Sequence, residues 1–186
     1  MTDSNIMKVL LYADGTHYPF SAAVYTASLS KSIPNLHITV LHVKESDEGS
    51  SGTEYSLTDT WPNSVTTDWM KQVMDDDDDD SDSLTQKQHQ EILNKTNEIF
   101  KERGLDVSHH VIYCNPSISD TVDTLLDYAT KKSFQLIIMG TRGLTSFKGV
   151  IYGSLAYTML NRSPIPVMLV KKLPQEFIDR FCLNTD

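Results

Sequence analysis

The sequence predicts a single α/β domain in which a five-stranded parallel sheet carries helices on both faces. Short apolar runs alternate along the chain with segments whose apolar residues recur at helical spacing, as in a doubly wound sheet. The 186 residues and the hydrophobic fraction of 39% suit one domain with its own core. A glycine-punctuated loop, residues 140–154, joins the fourth strand to the fourth helix and has the composition of a phosphate-holding turn.

Two strands and one helix are predicted in the first part of the chain. Met7–Ala13 is an apolar run that ends at the turn-prone Asp14-Gly-Thr. Apolar residues at positions 20, 23, 24 and 27 share one face of a helix over 20–30, and Pro34 stops it. Leu36–Val43 is the second predicted strand.

A polar and acidic segment, residues 44–84, interrupts the alternation and is interpreted as an insertion. It contains an apolar patch at helical spacing, for which we weigh packing on the same domain against a lid or partner-docking role: Trp69, Met70, Val73 and Met74. Six aspartates follow at 75–80 without the glycine and terminal glutamate of a calcium loop. We therefore expect a solvated acidic loop and no metal site there.

Three further helices and three further strands complete the predicted alternation. A helix over 85–103 should stop at Gly104, and the clearest helical stripe joins residues 118, 122, 125, 126 and 129. The other predicted elements are the strands Val107–Tyr113, Phe134–Met139 and Pro166–Val170 and the helix Ser154–Asn161. If the first and fourth strands are neighbours, the turn at Asp14 and the loop from Gly140 face one crevice at the carboxyl ends of the strands.

Charge and composition exclude several classes of protein. A net charge of −9 and a pI near 5.0 argue against general affinity for nucleic acid, which requires clustered Lys and Arg. The residues before Met7 are mostly polar, and no run approaches the ~20 apolar residues that cross a membrane. Two cysteines, Cys114 and Cys182, suggest neither a disulfide framework nor a cysteine zinc site. A cytoplasmic protein is expected.

The glycine loop and the end of the first strand together resemble the universal stress protein family. The motif reads Gly140-x2-Gly-x9-Gly-Ser after the fourth strand, with Asp14-Gly-Thr closing the first. The similarity runs from about Met7 to Lys171 outside the 44–84 insertion. It implies a Rossmann-like nucleotide-binding domain over residues 1–172, with residues 173–186 as a C-terminal tail.

Members of that family with the full glycine pattern bind ATP, so the resemblance implies an adenine-nucleotide site. Small and apolar residues would contact the base and sugar, and backbone N–H groups would hold the phosphates. The implied residues are Ala13, Asp14 and Thr16 near ribose and adenine, Val43 at the adenine, Met139 and Gly140 as walls, and Gly143, Gly153, Ser154 and Leu155 at the phosphates. A divalent ion such as Mg²⁺ could accompany the phosphates through water.

The implied function is a nucleotide-responsive stress protein that is at most a weak ATPase, because no general base or dedicated magnesium ligand is evident. The residues do not separate ATP from ADP, AMP or a dinucleotide. The family resemblance also implies a homodimer through the last strand, where Val167–Val170 is a short apolar edge that needs covering.

Two alternatives remain. The chain could be an interaction protein that docks an unknown protein partner through residues 44–84; Cys114-Asn-Pro stands where the family commonly has Gly-x-Pro, and a Cys114 side chain in the base or ribose space would favour this function. An enzyme of the related adenine-nucleotide hydrolase group is disfavoured, because the Ser-Gly-Gly-x-Asp-Ser loop is missing after the first strand.

Other candidate side chains receive structural interpretations. Ser154 is expected to cap the fourth helix and to contact phosphate rather than to act as a nucleophile. His42 is predicted to be a core histidine. His109 and His110 are adjacent in a strand and point to opposite faces, so they cannot form a paired metal site.

Overall fold

The structure is a computed structural model, and it describes most of the predicted sheet and three helices. The described residues are 6–13, 17–45, 54–56, 100, 101, 104, 105, 107–115, 117–141, 153–174, 176, 177 and 180. The elements in chain order are β1 (Met7–Tyr12), α1 (His17–Ser30), β2 (Leu36–Glu45), β3 (Glu54–Ser56), β4 (Val107–Cys114), α2 (Ile118–Lys131), β5 (Leu136–Gly140), α3 (Ser154–Arg162) and β6 (Val167–Val170).

The six described strands form one sheet in the order β3-β4-β2-β1-β5-β6. Five of them, from β4 to β6 in that order, pair in parallel, which confirms the predicted five-stranded parallel sheet. Strand β3 was not predicted; it lies within the segment interpreted as a polar insertion and pairs antiparallel with β4. Three residues are too few to show the period of two by which strands are recognised.

Each face of the sheet is covered by apolar side chains from different helices. On one face, the small residues Ala22, Ala23 and Ala27 bring α1 close to β1 and β5, and Phe100 joins the same cluster. On the other face, α2 and α3 pack on β1, β4 and β5 through Val122, Leu125, Met159 and their neighbours. The two clusters sandwich the sheet, so the domain is doubly wound as predicted.

Gly104 ends a helical segment, as the sequence predicted, although residues 85–99 of that predicted helix lie outside the described residues. Phe100 and Lys101 are helical, and Gly104 has a left-handed φ of 61°. The Gly104 N–H donates to the Lys101 carbonyl and the Leu105 N–H to the Phe100 carbonyl, each at 3.0 Å. This pair of bonds is the Schellman arrangement, which satisfies the last carbonyls of a helix.

Several boundaries differ from the predicted ones. Helix α1 begins at His17 rather than at residue 20, since a proline within the first turn of a helix loses no helical hydrogen bond. Strand β2 continues to Glu45 because it stays paired with β4 as far as Cys114. Ile118, placed in the predicted stripe of α2, is 42% exposed, whereas Thr121, Val122, Leu125, Tyr128 and Ala129 are buried.

The beginning of the predicted C-terminal tail is attached to α1. The Leu173 N–H donates to the Ser21 hydroxyl at 3.1 Å, and the Leu173 side chain lies against the α1-side cluster. Within the described part of the chain, no helix is long and apolar enough to cross a membrane.

Candidate functional site

The winding of the sheet reverses between β1 and β5, which are neighbours, the condition on which the predicted crevice depended. Leu11 of β1 lies opposite Ile138 of β5, and the two strands run in parallel. From β1 the chain winds outward to β2, whereas β5 leads to β6 on the other side. In open α/β sheets, the crevice at the carboxyl ends of two such strands is where ligands bind.

Two small residues stand at the ends of these strands. Ala13 and Gly140 each lie two residues beyond the Leu11–Ile138 pair, so they stand at the same level of the sheet. The Ala13 N–H donates to the Leu41 carbonyl at 3.0 Å, and the next N–H beyond Gly140, that of Thr141, donates to Val170 at 3.0 Å. The end of β1 is therefore bonded to β2 and the end of β5 to β6. At the crevice itself, Ala13 has a small side chain and Gly140 has none.

Helix α3 starts beside the end of β5. The Gly153 N–H donates to the Thr141 carbonyl at 2.8 Å, so the chain that leaves β5 returns to it before the helix begins. Thr141 is buried and was not among the predicted site residues, although it directly follows Gly140 in the motif. The first helical bond joins the Tyr157 N–H to the Gly153 carbonyl at 2.9 Å.

The first turn of α3 presents backbone donors. The N–H groups of Ser154, Leu155 and Ala156 open the helix and have no acceptor within it, as at every α-helix start. They carry the positive end of the helix dipole, which favours an anion. The described helix has no acidic residue in its first turn, so no carboxylate of that turn competes for this position.

The prediction that Ser154 caps this helix was wrong. The capping position belongs to Gly153, with extended φ and ψ of −65° and 156° and no side-chain cap bond. Ser154 is the first helical residue and is exposed, and its carbonyl accepts a bond from the Thr158 hydroxyl at 2.8 Å. The sequence placed the cap one residue late because serine is a common cap and glycine a permitted one.

The apolar residues proposed for the base site lie mostly on one face of the sheet. Met139 belongs to the cluster beneath α2 and α3, and Val43 and Leu155 are partly buried against it. Met139 is only 2% exposed, so its contact with a ligand would come from its backbone. Ala13 belongs to the opposite, α1-side cluster.

Val43, in β2, lies beyond the last residue of β2 that pairs with β1. The last pair of the β1–β2 register joins Tyr12 to Leu41, whereas Val43 still pairs with Ile112 of β4. Val43 therefore stands two residues above the end of the β1 pairing, at the side of the crevice. Asp14, Thr16 and Gly143, the remaining predicted site residues, lie outside the described residues.

The Cys114 side chain is turned towards α2. Its Sγ lies 3.6 Å from the Thr121 hydroxyl, and that hydroxyl donates to the Ser117 carbonyl at 2.9 Å. Since the one hydroxyl proton is used in this bond, the thiol is the donor to Thr121 Oγ1. Cys114 is 4% exposed, so its side chain fills the space between β4 and α2.

The histidines of β4 lie on opposite faces, as predicted, and away from the crevice. The His110 ring lies 5.6 Å from the Tyr128 ring on the α2 side. Burial lowers the pKa of His109 from 6.5 to about 3, and the nearby His42 and, more weakly, His110 add to the lowering. Among the described residues, no group of three or more His, Cys, Asp or Glu side chains could hold a metal ion.

Comparison with known proteins finds a family model and curated relatives that carry the same family name. The family model described as the universal stress protein family matches residues 63–171. Universal stress protein MJ0531 of Methanocaldococcus jannaschii is 29% identical over 93 residues, which are 50% of this chain and 52% of that protein. Universal stress protein YxiE of Bacillus subtilis is 29% identical over 85 residues, 46% of this chain and 54% of that protein. The chain spans about half the length of these curated relatives.

Solved structures share the fold at low sequence identity. Protein MJ0577 superposes with a TM-score of 0.58 and 18% identity, covering 90% of this chain and 97% of that one. A universal stress protein in complex with cAMP gives 0.54 and 16%, covering 91% and 100%. The universal stress protein from Archaeoglobus fulgidus in complex with dAMP gives 0.52 and 12%, covering 89% and 98%.

Proposed function

The chain belongs to the universal stress protein family, and on that premise we propose that it is an adenine-nucleotide-binding module whose ligand is ATP. The observation that carries the proposal is the crevice between β1 and β5, where Ala13 and Gly140 end their strands side by side and the start of α3 is bonded back to Thr141. Small residues, a reversed winding and a helix N-terminus meet at one place, which is what a nucleotide site requires.

The donor set suits a nucleoside phosphate. The N–H groups of Ser154, Leu155 and Ala156 offer hydrogen bonds to phosphate oxygens without charged side chains, and Gly153 leaves room for their approach. Gly143, outside the described residues, is proposed for the same role. Ala13, Val43 and the backbone of Met139 and Gly140 would bound the base and sugar, with Asp14 and Thr16 as polar partners of the ribose. Two structural relatives are complexes with cAMP and dAMP, which supports an adenine ligand.

The proposed module binds ATP but hydrolyses it slowly or not at all. No described side chain of the crevice is a general base, and a Mg²⁺ ion would be held through water and the phosphates. Any ATP hydrolysis should therefore be slow, and the protein would act through its nucleotide-bound form. We further propose a domain over residues 1–172 that dimerises through the exposed edge of β6 in the cytoplasm; β6 is a terminal strand of the described sheet.

Calorimetric titration tests this function. ATP with Mg²⁺, ADP, AMP and GTP would be titrated separately into protein stripped of nucleotide, and phosphate release would be followed in parallel. The proposal expects saturable binding of the adenine nucleotides, weaker binding of GTP, and phosphate release far slower than a dedicated ATPase. Absence of binding by folded protein would favour the interaction protein, although Cys114, turned to α2, lacks the orientation expected of a blocked pocket.

A further inference from the structure

The outer edge of β4 is unlike the other boundary of the sheet. Strand β4 is eight residues long and pairs along its whole length with β2 on the inner side. On its outer side, as far as the described residues go, Ile112, Val111 and His110 are paired with Glu54, Tyr55 and Ser56 of β3. At the opposite boundary, β6 is a four-residue strand preceded by Pro166 and followed by two lysines.

The length and composition of β4 are not those of a protected edge strand. Val107–Cys114 contains no proline and no Lys, Arg, Asp or Glu, and His109, His110, Ile112 and Cys114 are buried. An exposed strand of this length and composition is a template for pairing with another chain, because it offers a row of unpaired N–H and C=O groups. Its composition is that of an interior strand, and it has an interior place in the described sheet because β3 is paired beside it.

Strand β3 has the opposite character. It is three residues long, it contains a glutamate, and it is the one antiparallel strand among the described strands of the sheet. Short length and charge are the properties by which natural sheets make their edges poor partners. Adding β3 therefore replaces a long uncharged edge by a short charged one.

We propose that the outer edge of β4 is a strand-accepting surface and that β3, supplied by the segment after β2, is its built-in occupant. By holding this edge, β3 prevents β4 from pairing with an extended segment of another molecule, and above all with β4 of a second copy. At the opposite boundary of the described sheet, the terminal strand is β6. This inference does not depend on nucleotide binding.

Proline substitution in β3 tests the inference. Tyr55→Pro and the double variant Glu54→Pro/Ser56→Pro together remove every N–H of the strand, so one of them must remove the donors that face β4. Tyr55→Thr is the matched control, since it keeps the donor and the preference for extended backbone. If a proline variant does not fold, β3 can instead be replaced by three glycines, which weaken its pairing with β4 without introducing a proline ring.

Light scattering and hydrogen exchange give the first readout. The variants should form additional, concentration-dependent oligomers, while the control keeps the wild-type mass. In dilute samples, the outward amides within 107–114 should exchange about tenfold or more faster, while the amides bonded to β2 stay protected. Folded variants with wild-type mass and unchanged exchange would overturn the inference.

A peptide supplied in trans gives the second readout. A fluorescein-labelled peptide of residues 52–58 should bind the variants at least about tenfold more tightly than wild type, because tethered β3 competes at an effective concentration near millimolar. The unlabelled peptide should also disperse the additional oligomers. Equal binding to wild type and variants, or none to a folded variant, would show that the β4 edge does not accept a strand.

Discussion

The Gly153 N–H donates to the Thr141 carbonyl at 2.8 Å, which fixes the start of α3 against the end of β5. This bond joins the two ends of the glycine loop. The next three N–H groups, from Ser154 to Ala156, lie at the start of the helix and have no acceptor within it. Because Thr141 in turn donates to Val170, the helix start is tied through one residue to the last strand. The proposed phosphate position is thus held by the sheet.

Gly153→Val should abolish ATP binding while the protein stays folded. The φ and ψ of Gly153 are accessible to any residue, so a side chain there adds little backbone strain. Its branched carbon would, however, stand between a phosphate and the helix start. Titration calorimetry of Gly153→Val and Gly143→Val measures the effect, with Gly153→Ala as the milder control. Unchanged affinity in both valine variants would contradict the phosphate assignment.

Cys114→Ala should lower stability by about 1–2 kcal/mol and leave ATP affinity unchanged, because the thiol fills space beside Thr121 rather than the crevice. Thr121→Val is the matched control, since it keeps the volume and removes the hydroxyl that the thiol contacts. Denaturant unfolding and calorimetry give the two values. A clear rise in affinity for Cys114→Ala would mean that this side chain obstructs the ligand.

Two left-handed residues should respond to substitution with opposite signs. Gly104→Ala should cost about 1 kcal/mol from backbone strain alone, since a Cβ added there meets nothing within 4 Å. Ser133, with φ of 59°, occupies the same conformation after α2, so Ser133→Gly should gain up to about 1 kcal/mol. Ser32→Gly, where φ is negative, should be mildly destabilising. Chemical unfolding of the three variants checks the signs, and a stabilising Gly104→Ala would refute the strain argument.

Stability should fall below about pH 6.5 because of His109. Its pKa is about 3 in the folded protein against 6.5 when unfolded, so between these values the unfolded chain binds more protons. Protonation then favours unfolding, and the loss should reach about 2 kcal/mol at pH 5 relative to pH 7.5.

The His109→Gln variant isolates this contribution. It should flatten the decline between pH 7.5 and 5, whereas His37→Gln, a histidine replaced on the neighbouring strand β2, controls for loss of a histidine in general. Urea unfolding at several pH values gives the comparison. An equally steep decline in wild type and His109→Gln would contradict the role of His109.

Periodicity and turn chemistry predicted much of the fold. The stop at Gly104 was predictable because a glycine after a helical stripe has one common use, and the structure places it in a left-handed cap. The β1–β5 crevice was predicted on the condition that these two strands are neighbours, and their pairing meets that condition. Local signals failed where pairing decides the outcome: β3 has three residues, and β2 extends to Glu45 because β4 continues beside it.

The candidate site was less predictable than the fold. Glycine spacing indicated Gly140 and Gly153, but the sequence did not distinguish Gly153 from Ser154 as the helix cap, since both residues suit that position. It also did not indicate that Met139 would bury its side chain in the core, because a strand residue next to a loop can face either a ligand or a helix. The direction of Cys114 depends on the packing of α2, which no local pattern encodes.

Mass spectrometry of nucleotide released from freshly purified, denatured protein tests the central claim most directly, with Gly153→Val purified in parallel. We expect ATP or its hydrolysis product in wild type at a substantial fraction of the protein concentration, and little in the variant. Wild-type protein that is folded, carries no adenine nucleotide and takes up none from added ATP would contradict the claim that this chain is a nucleotide-binding module.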